Sequence, residues 1–315
     1  MFDYRYHALS LAAVLLALAV GVVIGVAIGD SNLVSSAKNG IVHDLSSEVR
    51  GAQQQAEQVR SQLHGEQAFA NGIYPLTVHD LLNGRSIGLV FLGAPSNVEN
   101  ALVRDAVTQA GGDLMTVVAM REPLDLSGLA AAAAGTRFAA LAPATATETS
   151  GAGAGGPGAS AESAGKLLER FGEIVGKQLL SGGQRLDREL LSRVRGRLLS
   201  AFDGQLGKLD ALVVVRNDPS AMSAEQANAA ARLESGLLAG FGAVGIPVVG
   251  AELSNAGQSQ IPWFQGKDLS SVDDLDAMAG QAALIYALAG SRGSYGIKQT
   301  ADSLLPNVVG ASAQP

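Results

Sequence analysis

The sequence predicts an α/β protein in which an N-terminal transmembrane helix and a coiled coil precede a Rossmann-like parallel sheet covered by helices. Three observations lead there. A charge-free run of 22 residues, Ala8 to Gly29, opens the chain. A heptad stripe follows it. Beyond residue 85, short apolar strands alternate with helical segments, the pattern of βαβ units.

As a helix the opening run spans ~33 Å, the thickness of a bilayer core. A secretory signal peptide competes with this reading, because Ala27-Ile28-Gly29 resembles a small-x-small cleavage site. A signal peptide, however, has a shorter apolar region and a more basic start. Ala13, Ala17, Gly21, Gly25 and Gly29 recur at every fourth position, which aligns small residues for close helix packing in lipid. Arg5 precedes the span, whereas Asp30 follows it, so the positive-inside rule predicts a cytoplasmic N-terminus and an extracytoplasmic remainder. Arg5, Tyr6 and His7 sit where the chain enters the bilayer, suited either to a partner or to ordinary interfacial anchoring.

Val42, Leu45, Val49, Ala52, Ala56, Val59 and Leu63 alternate in spacings of three and four, a heptad seam. Glutamine, glutamate and arginine fill the positions between. Such a helix needs a partner for its stripe, and a homodimer through the membrane helix and the coil supplies one. The competing reading packs the stripe on the chain's own domain.

The chain then divides into a cytoplasmic tail and membrane helix (1–30), a stalk (31–72), an α/β domain (73–306) and a tail (307–315). About 240 residues lie beyond the stalk, enough for a full core. Ser86–Gly93 reads as a buried strand, Pro95 to Ala110 as a helix, and Leu114–Ala119 as a second strand. Asp210–Val215 and Gly245–Gly250 repeat the strand pattern around a helix over Ser223–Phe241. Residues 142–165 have little to bury and read as a flexible loop. An amphipathic helical region continues to Phe202, broken at Gly182-Gly183, and a last helix runs from Ser271, with Asp274 three residues on, to Ala289.

Several chemistries are disfavoured. Net charge is −7 and no basic run occurs, so nucleic acid is not an expected partner. The absence of cysteine removes disulfides, thiolate metal sites and cysteine nucleophiles. Gly151, Gly153 and Gly156 satisfy G-x-G-x-x-G only inside the low-complexity loop, and Gly93-Ala94-Pro95 lacks the further glycines a pyrophosphate needs. No G-x-S-x-G elbow occurs, and His7, His43, His64 and His79 match no nucleophile. Asp273, Asp274 and Asp276 read as helix-start carboxylates rather than a cation site. The five methionines are scattered and no two histidines lie within a helical turn, so no copper site is evident. Neither a cofactor nor a convergent polar set at the strand ends is expected.

Two blocks resemble one family. The first is Asp3 to Val14, continuing to Leu18–Gly21 and Gly25. The second is Ser294-Tyr295-Gly296-Ile297-Lys298-Gln299-Thr300-Ala301-Asp302 with Leu304-Leu305-Pro306, preceded by Val272-Asp273 and Leu284–Leu288. Both resemble the actinobacterial MctB-type copper transporter family, which also takes in SteB-like cell-envelope proteins. The resemblance implies a non-enzymatic envelope protein tied to copper efflux and homeostasis. Its SteB-like side implies instead a scaffold that meets a SteA-like membrane partner controlling peptidoglycan hydrolysis. One helix encloses no channel, so a pore made by this chain alone is physically awkward. Gly293, Tyr295, Gly296 and Lys298 are expected to fix how the C-terminal motif folds back.

Overall fold

A computed structural model describes residues 4–29, 31–141, 157–181, 185–217 and 222–307. The chain forms two compact units, Met1–Ala68 and Phe69–Pro315.

The first unit holds α1 (Tyr4–Ile28) and most of α2 (Ser31–Val78). Arg5–Ala27 is long and apolar enough to cross a membrane and buries none of its side chains within the chain. Ala13, Ala17, Gly21 and Gly25 lie on α1, exposed, and Gly29 follows its end, donating its amide to the Gly25 carbonyl at 2.8 Å. Along α2, Leu45, Val49, Val59 and Leu63 are each about half exposed, and Ala52 and Ala56 are exposed too. The Val42 side chain lies outside the described set.

The second unit is built on a seven-stranded sheet. Its strands are β1 (Ser86–Leu92), β2 (Asp113–Met120), β3 (Leu199–Gly204), β4 (Ala211–Arg216), β5 (Val248–Ala251), β6 (Ser270–Val272) and β7 (Ser294–Tyr295), ordered β3-β2-β1-β4-β5-β6-β7. All neighbours are parallel except β2 and β3. The direction of winding reverses between β1 and β4, as in doubly wound nucleotide-binding folds.

Alternation along the strands builds two cores. Val90, Leu92, Val118 and Met120 face one side, while Leu89, Phe91, Val117 and Ala119 face the other. The first face is covered by α4 (Leu126–Ala132), a 3-10 turn at Arg137–Leu141, α5 (Pro157–Ser181), α6 (Arg185–Leu198), α7 (Ala224–Gly242) and α8 (Ile261–Gln265). The second is covered by α3 (Asn97–Gln109), α9 (Met278–Ala289) and the end of α2, where Tyr74 and Val78 are buried. Local sequence explains the main helix starts. The Ser96 side chain caps α3 by accepting from Glu99 N, and Ser223 and Gln226 close a capping box on α7.

Three elements differ from the sequence reading. The helical region expected to reach Phe202 ends at Leu198, and Leu199–Gly204 forms antiparallel edge strand β3. The nearest breaker, Gly196, sits inside the last turn of α6 rather than at the junction, so periodicity alone runs through it. Residues 142–156 lie outside the described residues, but helix begins at Pro157, inside the segment read as a loop to residue 165. Ser271 does not start the last helix. It sits in β6, and α9 begins at Met278 without a side-chain cap. A three-residue strand followed by aspartates carries too little pattern to be seen.

Candidate functional site

The carboxyl ends of β1, β4, β5 and β6 converge on one edge of the sheet, where a polar set assembles that sequence reading did not find. Strand β4 ends in Arg216, whose side chain is only 9% exposed. Its Nε donates to both oxygens of Glu234 on α7, at 3.1 and 3.3 Å, and its Nη1 to Gln260 Oε1. The guanidinium also lies 4.5 Å from the Trp263 ring centroid. Just beyond β5 comes Glu252, whose carboxylate accepts from Ser259 Oγ and Gln260 N, both at 2.6 Å, and from Lys298 Nζ. Beside β1, Gly93 holds φ +117, and a Cβ there would strike Glu122 and Asn217. Asn217 Nδ2 in turn donates to Ala94 O at 2.9 Å.

Electrostatics here are crowded with carboxylates. Burial raises the Glu99 pKa, and the neighbouring Glu252 charge adds to it while a Ser96 hydrogen bond pulls it down. Burial raises Glu122, helped by Glu234 and opposed by Arg216. Glu234 is raised by burial, with Arg216 and Lys267 pulling it partly back. Glu99, Arg216, Asn217, Glu252, Gln258 and Gln260 line a cleft of about 380 Å³ at the β1/β4 reversal point. A much larger groove, about 1260 Å³, lies at the opposite sheet edge beside Val248, Ser270 and Ser294, away from this polar set.

The C-terminal motif forms one flank of the site. Asp273, one residue beyond β6, accepts Ile297 N at 2.8 Å and Lys298 N at 3.1 Å. Gly296 makes this possible: it has φ +136, and a Cβ would sit 2.0 Å from Asp273 Oδ1. Asp302 accepts Ser294 N at 3.0 Å and returns its own amide to Ser294 O at 2.8 Å. Gly293 has φ +145, and Tyr295 Oη donates to Arg292 O at 2.7 Å. Ala301 N closes a turn onto Lys298 O, Leu304 and Leu305 are exposed, and Pro306 is buried. The motif therefore locks onto β6 and reaches β5 through Lys298.

The three aspartates do not cap α9. Asp273 holds the motif, and Asp276 accepts Ser254 N at 2.7 Å and Ser254 Oγ at 2.6 Å, bonds that outweigh burial and keep its carboxyl below the ordinary value. Asp274 is fully buried and neither oxygen has a hydrogen-bond partner. Burial, then Asp273 and Asp276, push its pKa to about 6. Arg5, Tyr6 and His7 lie on α1, in the other unit, exposed. Among the described residues, no group of three His, Asp or Glu side chains gathers in a metal-binding arrangement. The polar set escaped sequence reading because its members are up to 199 positions apart, Glu99 to Lys298, and join only through the parallel sheet. Arg216, Asn217, Glu252 and Glu122 carried a positional signal, each at or just beyond the end of an apolar strand, whereas Glu99, Glu234, Gln260 and Lys298 lie farther along the chain.

An apolar helix of membrane-crossing length ahead of a doubly wound α/β domain with a locked C-terminal motif defines a class of membrane-associated α/β proteins. Within it, this chain belongs to the MctB family: residues 1–306 match the family described as "Copper transport outer membrane protein, MctB". The chain is 33% identical over 122 residues to the proteins named copper transporter MctB of Mycobacterium tuberculosis and Mycobacterium bovis. The Mycobacterium leprae protein of that name is 32% identical over 122 residues. Each alignment spans 39% of this chain and 38% of the relative.

Proposed function

We propose that this chain is a single-pass, membrane-anchored envelope protein acting in copper efflux and homeostasis, non-enzymatic and dimeric, with its α/β domain on the extracytoplasmic side. The observation that carries the reading is the family match from residue 1 to 306, which includes the apolar helix, the stalk and the domain in one chain. Dimerisation is supported by the stalk: Leu45, Val49, Val59 and Leu63 recur at heptad spacing and are exposed on α2. The small-residue row Ala13, Ala17, Gly21 and Gly25 offers lipid-embedded contact to the same partner. Because a single helix encloses no pore, copper passage through the chain itself requires several copies or a separate channel.

The alternative is a SteB-like scaffold that meets a SteA-like membrane protein and regulates wall hydrolysis. A deletion strain separates the two. Copper sensitivity with normal septation supports the first reading. Chained or lysis-prone cells with ordinary copper tolerance overturn it in favour of the second. Carbonate extraction of native membranes tests the anchor, since a chain that washes free refutes both.

A further inference from the structure

We propose that the cleft at the carboxyl ends of β1 and β4 binds a small zwitterion of the amino-acid type, its carboxylate on Arg216 and its ammonium on Glu99. The place is the one the topology makes: at the reversal point of a doubly wound sheet, the helices after β1 and β4 leave on opposite faces and open a crevice. Its volume, about 380 Å³, suits a small molecule.

Arg216 supplies the first pole. A side chain 9% exposed, it gives Nε to Glu234 and Nη1 to Gln260, and Nη2 has no hydrogen-bond partner among the described residues. Nη2 is thus the guanidinium nitrogen with donors to spare on a residue that lines the cleft, and a carboxylate oxygen makes the stronger, charge-assisted bond. Glu234 neutralises the rest of the guanidinium, so the site attracts one carboxylate oxygen pair rather than a polyanion.

Glu99 supplies the second. It lines the same cleft, half-buried, with Glu252 near enough to repel it. Glu252 itself is committed to Ser259, Gln260 and Lys298, so Glu99 is the carboxylate with capacity to spare. An ammonium group relieves the repulsion and the lost hydration together. Asn217, whose Nδ2 is held by Ala94 O, presents its Oδ1 as a further acceptor for ammonium protons. The same carboxylates argue against nucleotides and phosphates. Glu99 stands in the first turn of α3, where a phosphate would bind, and Glu252 lies close enough to add its charge.

The test uses the full chain in detergent micelles or nanodiscs, with thermal unfolding and calorimetric titration against individual L- and D-amino acids, and with acetate and methylammonium as half-ligand probes. A saturable rise in unfolding temperature with one or more amino acids, and at least about tenfold weaker binding of each half-ligand, is the expected result. Glu99→Gln and Asn217→Ala, both at the cleft rim, should fold normally and weaken binding about tenfold or more. Arg216→Lys keeps the Glu234 pair and should weaken it similarly. The proposal is overturned if no amino acid binds, if binding survives unchanged in Glu99→Gln and Arg216→Lys, or if neutral sugars or nucleotides bind as tightly.

Discussion

Replacing Asp274 by asparagine should stabilise the α/β domain at neutral pH and lose that advantage in acid. Asp274 is fully buried, both carboxyl oxygens lack side-chain partners, and Gly280 packs so close that a Cβ there would lie 2.4 Å from Oδ1. Burial, Asp273 and Asp276 raise its pKa from 3.8 to about 6, with its own backbone amide and then Lys298 opposing. The sign follows from linkage. Between the two values the folded state holds a proton the unfolded chain has lost, so stability falls as pH rises from 3.8 and reaches its full loss above about 6. A gap of about two pH units at ~1.4 kcal/mol each makes the loss ~3 kcal/mol, or a change of about 6–12 °C in Tm for a domain of this size. The asparagine amide must itself be buried without a partner, which returns about 1–3 kcal/mol at every pH. The informative quantity is therefore the Tm difference between Asp274→Asn and the parent, followed from about pH 4 to about pH 8 by calorimetry. It should rise by several degrees across the interval, since Asp273 and Asp276 also lose a like-charged neighbour. A difference that stays flat with pH would refute the reasoning, because Asp274 would then be ionised at no cost.

Gly296→Ala places a methyl 2.0 Å from Asp273 Oδ1 at a backbone of φ +136, so thermal unfolding should show a loss of about 2–4 kcal/mol, and limited proteolysis should cut first beyond residue 296. Gly236→Ala should cost about 2–5 kcal/mol in denaturant unfolding, because a Cβ at Gly236 on α7 meets Glu169 O on α5 at 2.0 Å and forces the two helices apart. Lys298→Ala and Glu252→Gln should each destabilise the domain, yet the double variant should cost less than their sum by about 1 kcal/mol or more, since the two side chains form one buried pair. Leu45→Asp with Leu63→Asp should abolish cross-linking of copies in the membrane while leaving the domain's Tm within about 1 °C, because both residues are exposed and lie in the other unit.

Strands β1, β2 and β4 were legible because each is a long apolar run bounded by turn residues, and α3 and α7 because Pro95 and Ser223 announce their starts, although the residue that caps α3 is Ser96. β3 and β6 were not, for different reasons. β3 is half-exposed and continuous with a helix, whereas β6 has three residues and is recognised only by its partners. The interface of α5 with α7 was also hidden. Gly172, Gly176, Gly236 and Gly240 bring the helices into backbone contact, and a Cβ at Gly172 would meet Leu233 O at 2.5 Å. In sequence these glycines looked like part of a general Ala/Gly bias. The membrane helix and the heptad row, by contrast, needed no tertiary information, since length and spacing define them.

The C-terminal motif and the cleft are parts of one structure. β7 is only two residues long and pairs with β6 at the edge of the sheet, so ladder hydrogen bonds alone cannot hold it. Asp273 and Asp302 take over, gripping the amides of Ile297, Lys298 and Ser294, and this orients Lys298 toward Glu252. Glu252 would otherwise be a carboxylate 5% exposed with no cation beside it. With Lys298 in place it binds the Gln260 amide, and Gln260 in turn accepts from Arg216. The chain of contacts thus runs from the residues that carry the family resemblance to the guanidinium at the cleft wall. This geometry accounts for the sequence motif: Asp273 and Asp302 fix the edge strand, and Lys298, just beyond that strand, supplies the charge that lets a buried polar set form at the reversal point.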